Sequence, residues 1–200
     1  MSAATGSLHR IFRWRDPWTG EEREPFFFAS AATADSTGGR YDLPLPHGAC
    51  YCADTKAGAW LETFRSVGLV ALPDVQARRL LTTRPPRPIR AADLLAAGAR
   101  RYGVTNDIHT GDDYGVPRQW ALRLFQAGFR ALRGRIRHDP TGRSVSVTLL
   151  DAAGGHQPFG WRWRRQISRL EDDVDLLVAL RRYGTGIAGL PIDVIVEEPG

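Results

Sequence analysis

Along this chain, segments whose apolar residues recur at every second position alternate with segments that repeat near every 3.6, without a strict strand–helix–strand rhythm. That irregular succession is the pattern of an α+β fold, not of a regular parallel α/β sheet. Residues 8–14, Leu8-His9-Arg10-Ile11-Phe12-Arg13-Trp14, alternate and are rich in strand formers. The charged, proline-containing stretch 16–25 reads as a loop, and the apolar run 26–28 precedes Gly38-Gly39-Arg40-Tyr41. The glycine pair permits positive φ and close backbone approach at the turn that carries Arg40. Pro44 and Pro46 keep the next segment extended up to a strand at 49–53. Asp54 or Thr55 suits the N-cap of a helix over 56–67, with Trp60, Phe64 and Val67 as its apolar stripe and Leu61 widening it. Glu62 lies well around from Trp60, on a side shared with the small residues Gly58 and Ala59, which leave room for a ligand to approach the carboxylate.

Farther on, a strand-like stretch from 78 leads into a proline-rich turn, and 91–101 reads as helix. Residues 106–111 read as loop, and Asp112 or Asp113 as the cap of a helix over 117–127 that Gly128 ends. Strands are expected at 129–135 and 144–150, joined by an Asp139-Pro140-Thr141-Gly142 turn. In that turn His138 could do acid–base work, but Asp139 bonding its local backbone is the plainer reading. A helix at 174–183, stopped by Gly184, and a strand at 191–197 complete the chain. No internal repeat or composition break divides it, so residues 1–200 are expected to form one domain, with a C-terminal helix and strand within about 160–198.

Composition narrows the function classes less than the pattern does. A hydrophobic fraction of 42% and six tryptophans suffice for a core without disulfides or metal. Cys50 and Cys52 share one face of a strand at a spacing of about 6.5 Å, poor for a disulfide, and are expected to be reduced. Histidines and cysteines lack ligand spacing, so no metal site is expected. No run approaches the ~18 apolar residues of a membrane span, and the N-terminus lacks a secretory layout; a cytoplasmic protein is expected. The net charge is +5, and Lys56 is the only lysine among 27 Lys and Arg. Guanidinium forks suit phosphates and carboxylates, which admits nucleic acid, an acidic protein or a phosphorylated small molecule. Trp161-Arg162-Trp163-Arg164-Arg165 interleaves aromatic and basic residues as single-strand binders do. On a strand, however, both tryptophans would simply face inward and Arg162 and Arg164 outward.

The order of elements resembles the RES domain family, named for an Arg, a Glu and a Ser. The residues that carry the resemblance are His9-Arg10-Ile11, Gly39-Arg40-Tyr41, Ala49-Cys50-Tyr51-Cys52-Ala53, Ala59-Trp60-Leu61-Glu62 and Gly128-Phe129 through Arg137-His138-Asp139-Pro140, spanning about 8–151. The resemblance implies an ADP-ribosyltransferase-like fold, a mixed or split β-sheet core with flanking helices. It also implies a bacterial toxin that consumes NAD+ by phosphorolysis or hydrolysis, with inorganic phosphate as a possible co-substrate and a helix-turn-helix antitoxin as partner. On it, Glu62 and Arg10 are the catalytic matches, while Arg40, Tyr41 and Tyr51 are matches for holding NAD+. The roles are chemically sensible: cleaving the nicotinamide–ribose bond builds positive charge that a carboxylate stabilises, and guanidinium forks grip pyrophosphate.

The chain departs from the family where Ile136 occupies the serine position, since isoleucine neither donates nor accepts a hydrogen bond. Arg130 and Ala131 likewise replace the usual Asp and Gly. Ser144 or Ser146 could stand in for the missing hydroxyl. The competing expectations are a degenerate RES-fold protein that binds NAD+ or an ADP-ribosyl ligand without turnover, and an arginine-rich nucleic-acid binder; direct nucleic-acid contact is the less favoured.

Overall fold

The computed structural model describes residues 2–4, 6–31, 38–65 and 68–189. Its centre is a mixed eight-stranded sheet. In chain order the strands are β1 (Ser2–Ala4), β2 (Leu8–Arg13), β3 (His47–Ala53), β4 (Arg78–Arg84), β5 (Ile89–Asp93), β6 (Ala131–Arg135), β7 (Val145–Ala152) and β8 (Arg164–Ser168). In space they run β1-β5-β6-β7-β3-β2-β4-β8. All neighbours are antiparallel except β5 and β6. The α+β expectation therefore holds, with the sheet mixed and helices flanking it.

Alternation along the strands sends side chains to two faces. Leu8, Phe12, Cys50, Cys52, Val147 and Leu149 share one apolar cluster, covered by Phe26, Phe28 and Trp163. Both cysteines are buried free thiols. The opposite face carries two separate clusters. One gathers Ile11, Ala53 and Leu80 with Trp60 and Phe64 of α1 (Lys56–Phe64). The other joins Ala49, Leu132 and Leu150 to Ile108 of α3 (Asp107–Thr110) and Ala121 of α4 (Gly115–Gln126). Between them in sequence lies the short α2 (Leu72–Gln76). The last helix, α5 (Val174–Arg182), adds Leu176 and Leu180 to the α1 cluster. Its N-cap Asp173 also accepts 2.8 Å and 3.0 Å bonds from Lys56 Nζ, tying α5 to the start of α1.

Thr55 is the α1 cap, its hydroxyl accepting the Gly58 N–H at 2.9 Å. The helix stops at Phe64 and not at 67, because Arg65 turns to φ 60 and closes it with its N–H on Leu61 O at 2.9 Å. Val67 and the expected strand at 191–197 lie outside the described residues. The expected helix over 91–101 is half wrong. Ala91 and Ala92 are buried in β5, between β1 and parallel β6, and helical turns begin only at Ala97, as a 3₁₀ segment to Tyr102. Alanine's helix preference is a fraction of a kcal/mol per residue, whereas a central strand position satisfies both backbone groups and buries the side chain. The loop expected at 106–111 holds the short α3.

The Trp161–Arg165 segment follows the plain reading in part. Trp163 is buried, Arg162 and Arg164 are exposed, and Trp161 is half-buried beneath the Arg87 guanidinium at 4.0 Å. Neither indole is bare for stacking a base.

Candidate functional site

The site begins where the sheet comes apart. β2 and β3 pair at one position only, His9 opposite Ala53. Beyond it β2 keeps to β4 and β3 keeps to β7. Arg10 fills the breach: Nη1 donates to Tyr51 O at 2.8 Å and Nε to Pro25 O at 3.1 Å. Two carbonyls lacking a ladder partner are thus satisfied by one planar fork. A lysine gathers its three donors on one nitrogen and cannot reproduce the spread of the guanidinium fork, so Arg10→Lys should leave one carbonyl unpaired. The expected cost is about 1–3 kcal/mol, read from urea denaturation; an unchanged midpoint would count against this account.

Over the split lies a cleft of about 570 Å³, within the range of small-molecule sites. Arg10, Arg40, Tyr51 and Glu62 all line it, together with Arg65, Tyr114, Arg137 and His138. Arg40 is held by Nη1 on Gly111 O at 2.7 Å, with its guanidinium 4.5 Å from the Tyr114 ring centre. Glu62 is half-buried. Burial pushes its carboxyl above the ordinary value, against a hydrogen bond from Ser146 and the nearby Arg40 charge. The small neighbours behave differently from the expectation. Ala59 lines the cleft, but Gly58 turns inward, where a Cβ would stand 2.8 Å from Ile136 Cδ1.

Tyr41 does not line the cleft. It is buried in the α3–α4 cluster, its hydroxyl donating to Ile108 O at 3.1 Å and lying 3.2 Å from His109 Nδ1. A side chain pinned at both ends on the core side of the turn cannot wall a ligand. Tyr51 reaches the cleft with its hydroxyl already engaged: it donates to Asp42 Oδ1 at 2.8 Å and accepts the Tyr41 N–H at 2.8 Å. Asp42 also takes the Gly39 N–H at 2.6 Å. This buried carboxylate, not singled out from the sequence, therefore shapes the whole Arg40 turn. A Cβ on Gly39 would stand 2.2 Å from the Tyr51 hydroxyl oxygen. Gly39→Ala is expected to destabilise by about 1–3 kcal/mol, while Gly98→Ala, with nothing within 4 Å of its Cβ, should change little. Equal thermal midpoints for the two variants would refute the packing argument.

Ile136 is buried among Trp60, Ala53 and Leu170 and does not line the cleft. Of the two serines, Ser144 serves structure, its hydroxyl accepting from Thr55 at 3.1 Å and its N–H donating to Asp139 at 2.7 Å. Ser146, on β7 opposite Ala53, places its hydroxyl on Glu62. Asp112 meets Arg137 at 2.8 Å, so Arg10, Arg40 and Arg65 stand against one further carboxylate, Glu62, among the lining residues. Such a surface suits an anionic ligand that develops positive charge at a point beside Glu62. No group of metal-ligating side chains occurs among the described residues, nor is any helix there long and apolar enough to cross a membrane.

Compared with known proteins, residues 7–164 match the family model of the RES domain. No curated protein matches the sequence. Among solved structures, the chain is similar to a chain of the MbcT–MbcA toxin–antitoxin complex of M. tuberculosis. The TM-score is 0.52 at 20% identity, covering 81% of this chain and 84% of that one. That likeness is one of fold.

Proposed function

The chain belongs to the RES domain family, and from that membership we propose that it is an NAD+-consuming enzyme that cleaves the nicotinamide–ribose bond. What carries the reading is the convergence of Glu62 with the Arg10 and Arg40 guanidiniums on one cleft over the split sheet. In the reaction the bond from ribose C1′ to the nicotinamide nitrogen breaks. Nicotinamide leaves neutral with the bonding pair, and positive charge gathers on the ribose. The Glu62 carboxylate, kept in place by the Ser146 hydroxyl, stabilises that charge most strongly at the transition state. Arg40 and Arg10 supply donors for the pyrophosphate, and inorganic phosphate or water completes the substitution at C1′. The Tyr51 ring provides an apolar wall for the nicotinamide, its hydroxyl being committed to the turn.

The M. tuberculosis structure is of a toxin–antitoxin complex; by that likeness we assign this chain as the toxin of such a pair, with a helix-turn-helix antitoxin as its partner. The test is mass spectrometry of NAD+ incubated with the purified chain, with and without phosphate. Nicotinamide together with ADP-ribose or its phosphorylated form is the expected outcome. An intact NAD+ pool after prolonged incubation with folded, partner-free protein would refute it. The apolar Ile136 at the family's serine position favours one second reading, binding of NAD+ without turnover; saturable calorimetric binding with the pool intact would select it.

A further inference from the structure

We propose that Arg65 holds the attacking inorganic phosphate beside Glu62, an assignment that rests on the function proposed above. The backbone supplies the first observation. Arg65 closes α1 at φ 60 and ψ −147, a region that belongs almost wholly to glycine because a Cβ is crowded there. A glycine would close the helix through the same N–H bond to Leu61 O without that strain. Strained residues of this kind gather at ligand clamps and active sites, where the rest of the structure enforces them. The gain here is a guanidinium on the cleft wall. Arg65 lines the same cavity as Glu62, which stands three residues earlier and so about one turn back along α1.

Charge supplies the second observation. Arg10 already donates from Nη1 and Nε to two carbonyls. Arg40 gives Nη1 to Gly111 O and lies over the Tyr114 ring, and Arg137 is paired with Asp112. The exposed Arg65 guanidinium makes no hydrogen bond or ion pair among the described residues, so its whole fork is available. With Arg137 cancelled by Asp112, the guanidiniums of Arg10, Arg40 and Arg65 stand against the Glu62 carboxylate, a net of two positive charges. His9 and His138 add nothing at pH 7, since burial lowers both from the ordinary histidine value. NAD+ brings two pyrophosphate negatives and one pyridinium positive, which leaves one positive charge uncompensated. A second anion fits that remainder, and Arg65 places it at the reacting end. Arg65 and Arg40, from separate elements, both press on the His138 imidazole, so their charges converge on one side of the cleft. A phosphate dianion approaching C1′ is repelled by the Glu62 carboxylate; a guanidinium one turn along the same helix offsets that repulsion and grips two oxygens at once.

The step balances without a base. An oxygen of the hydrogen phosphate dianion bonds ribose C1′ through its lone pair, the C1′–nitrogen bond breaks, and that pair departs with neutral nicotinamide. The other product is ADP-ribose with a phosphate on C1′, and the phosphate keeps its proton.

The experiment compares the full chain with Arg65→Gly and Arg65→Lys. Nicotinamide release from NAD+ is followed as phosphate is varied, with urea denaturation alongside. In Arg65→Gly the KM for phosphate should rise about tenfold to a hundredfold, clearly more than the KM for NAD+, while the urea midpoint increases because glycine relieves the turn. Arg65→Lys keeps the charge and the strain but loses the fork, so its KM for phosphate should fall between the two and its midpoint should stay at the wild-type value. An unchanged KM for phosphate in Arg65→Gly would overturn the assignment while leaving NAD+ cleavage intact. So would a wild type whose release ignores phosphate, or a variant whose KM for NAD+ rises as far as that for phosphate. A lowered midpoint in Arg65→Gly would remove the strain argument and the assignment with it. A wild type inert with and without phosphate would instead refute the functional reading itself.

Discussion

Glu62→Gln should lower nicotinamide release by about a thousandfold, the upper range for removing one preorganised charge-stabilising group, while leaving the fold intact. The amide keeps the shape and can still accept from Ser146, so the loss isolates charge from packing. Stability should move the other way. Burial raises the Glu62 pKa, so the native state holds its proton to higher pH than the unfolded chain does. The native state then binds more protons between the two values, and stability falls as pH rises through that window. The penalty is absent below the ordinary glutamate value and complete above the raised one. Glu62→Gln removes it, and the variant should unfold at higher urea than wild type at pH 7 but not at pH 4. A variant that retains wild-type turnover, or one that loses stability at pH 7, would contradict the arrangement described.

Trp60→Ala should be the most damaging change to stability, at about 3–5 kcal/mol. Its side chain is fully buried, its ring centre lies 4.3 Å from that of Phe64, and it joins α1 to Ile136 and to the leucines of α5. Much of a small domain's stability would go with it. Because Glu62 lies two residues along the same helix, activity should fail in step with unfolding and not before it. The Trp60 indole N–H finds no acceptor among the described residues. Trp60→Phe, which abolishes that unpaired donor along with part of the volume, should therefore cost clearly less than Trp60→Ala. Urea denaturation of the two variants decides the matter; an unchanged midpoint for Trp60→Ala would show that this cluster does not hold α1 in place.

Several parts of the site were legible in residue order because local chemistry determines them. Thr55 caps α1 through its own hydroxyl, the Asp139 turn closes on neighbours within five residues, and Gly38 takes φ +117. The resemblance carried Arg10, Arg40, Tyr51 and Glu62 to a common cleft. It failed for Tyr41 because adjacency to Arg40 says nothing about direction: successive side chains in a turn point different ways, and this one found the core. Asp42 was illegible for the opposite reason: it acts from within an unremarkable turn, where an aspartate occurs for ordinary structural reasons. Ser146 was legible only as one of two serines that could stand in for the missing hydroxyl, because its approach to Glu62 depends on the pairing of β7 with β3.

By itself the sequence determined the α+β class, most of the short strands and helices, and the family, since these follow from periodicity, caps and the order of a few motifs. Tertiary structure alone decided that β2 and β3 part after a single pair, that Arg10 spans the gap, and that the hydroxyl beside Glu62 comes from Ser146 on β7 and not from residue 136. Side-chain direction depends on register and on which cluster has room, and both are settled by contacts among strands up to a hundred residues apart, which no local pattern encodes.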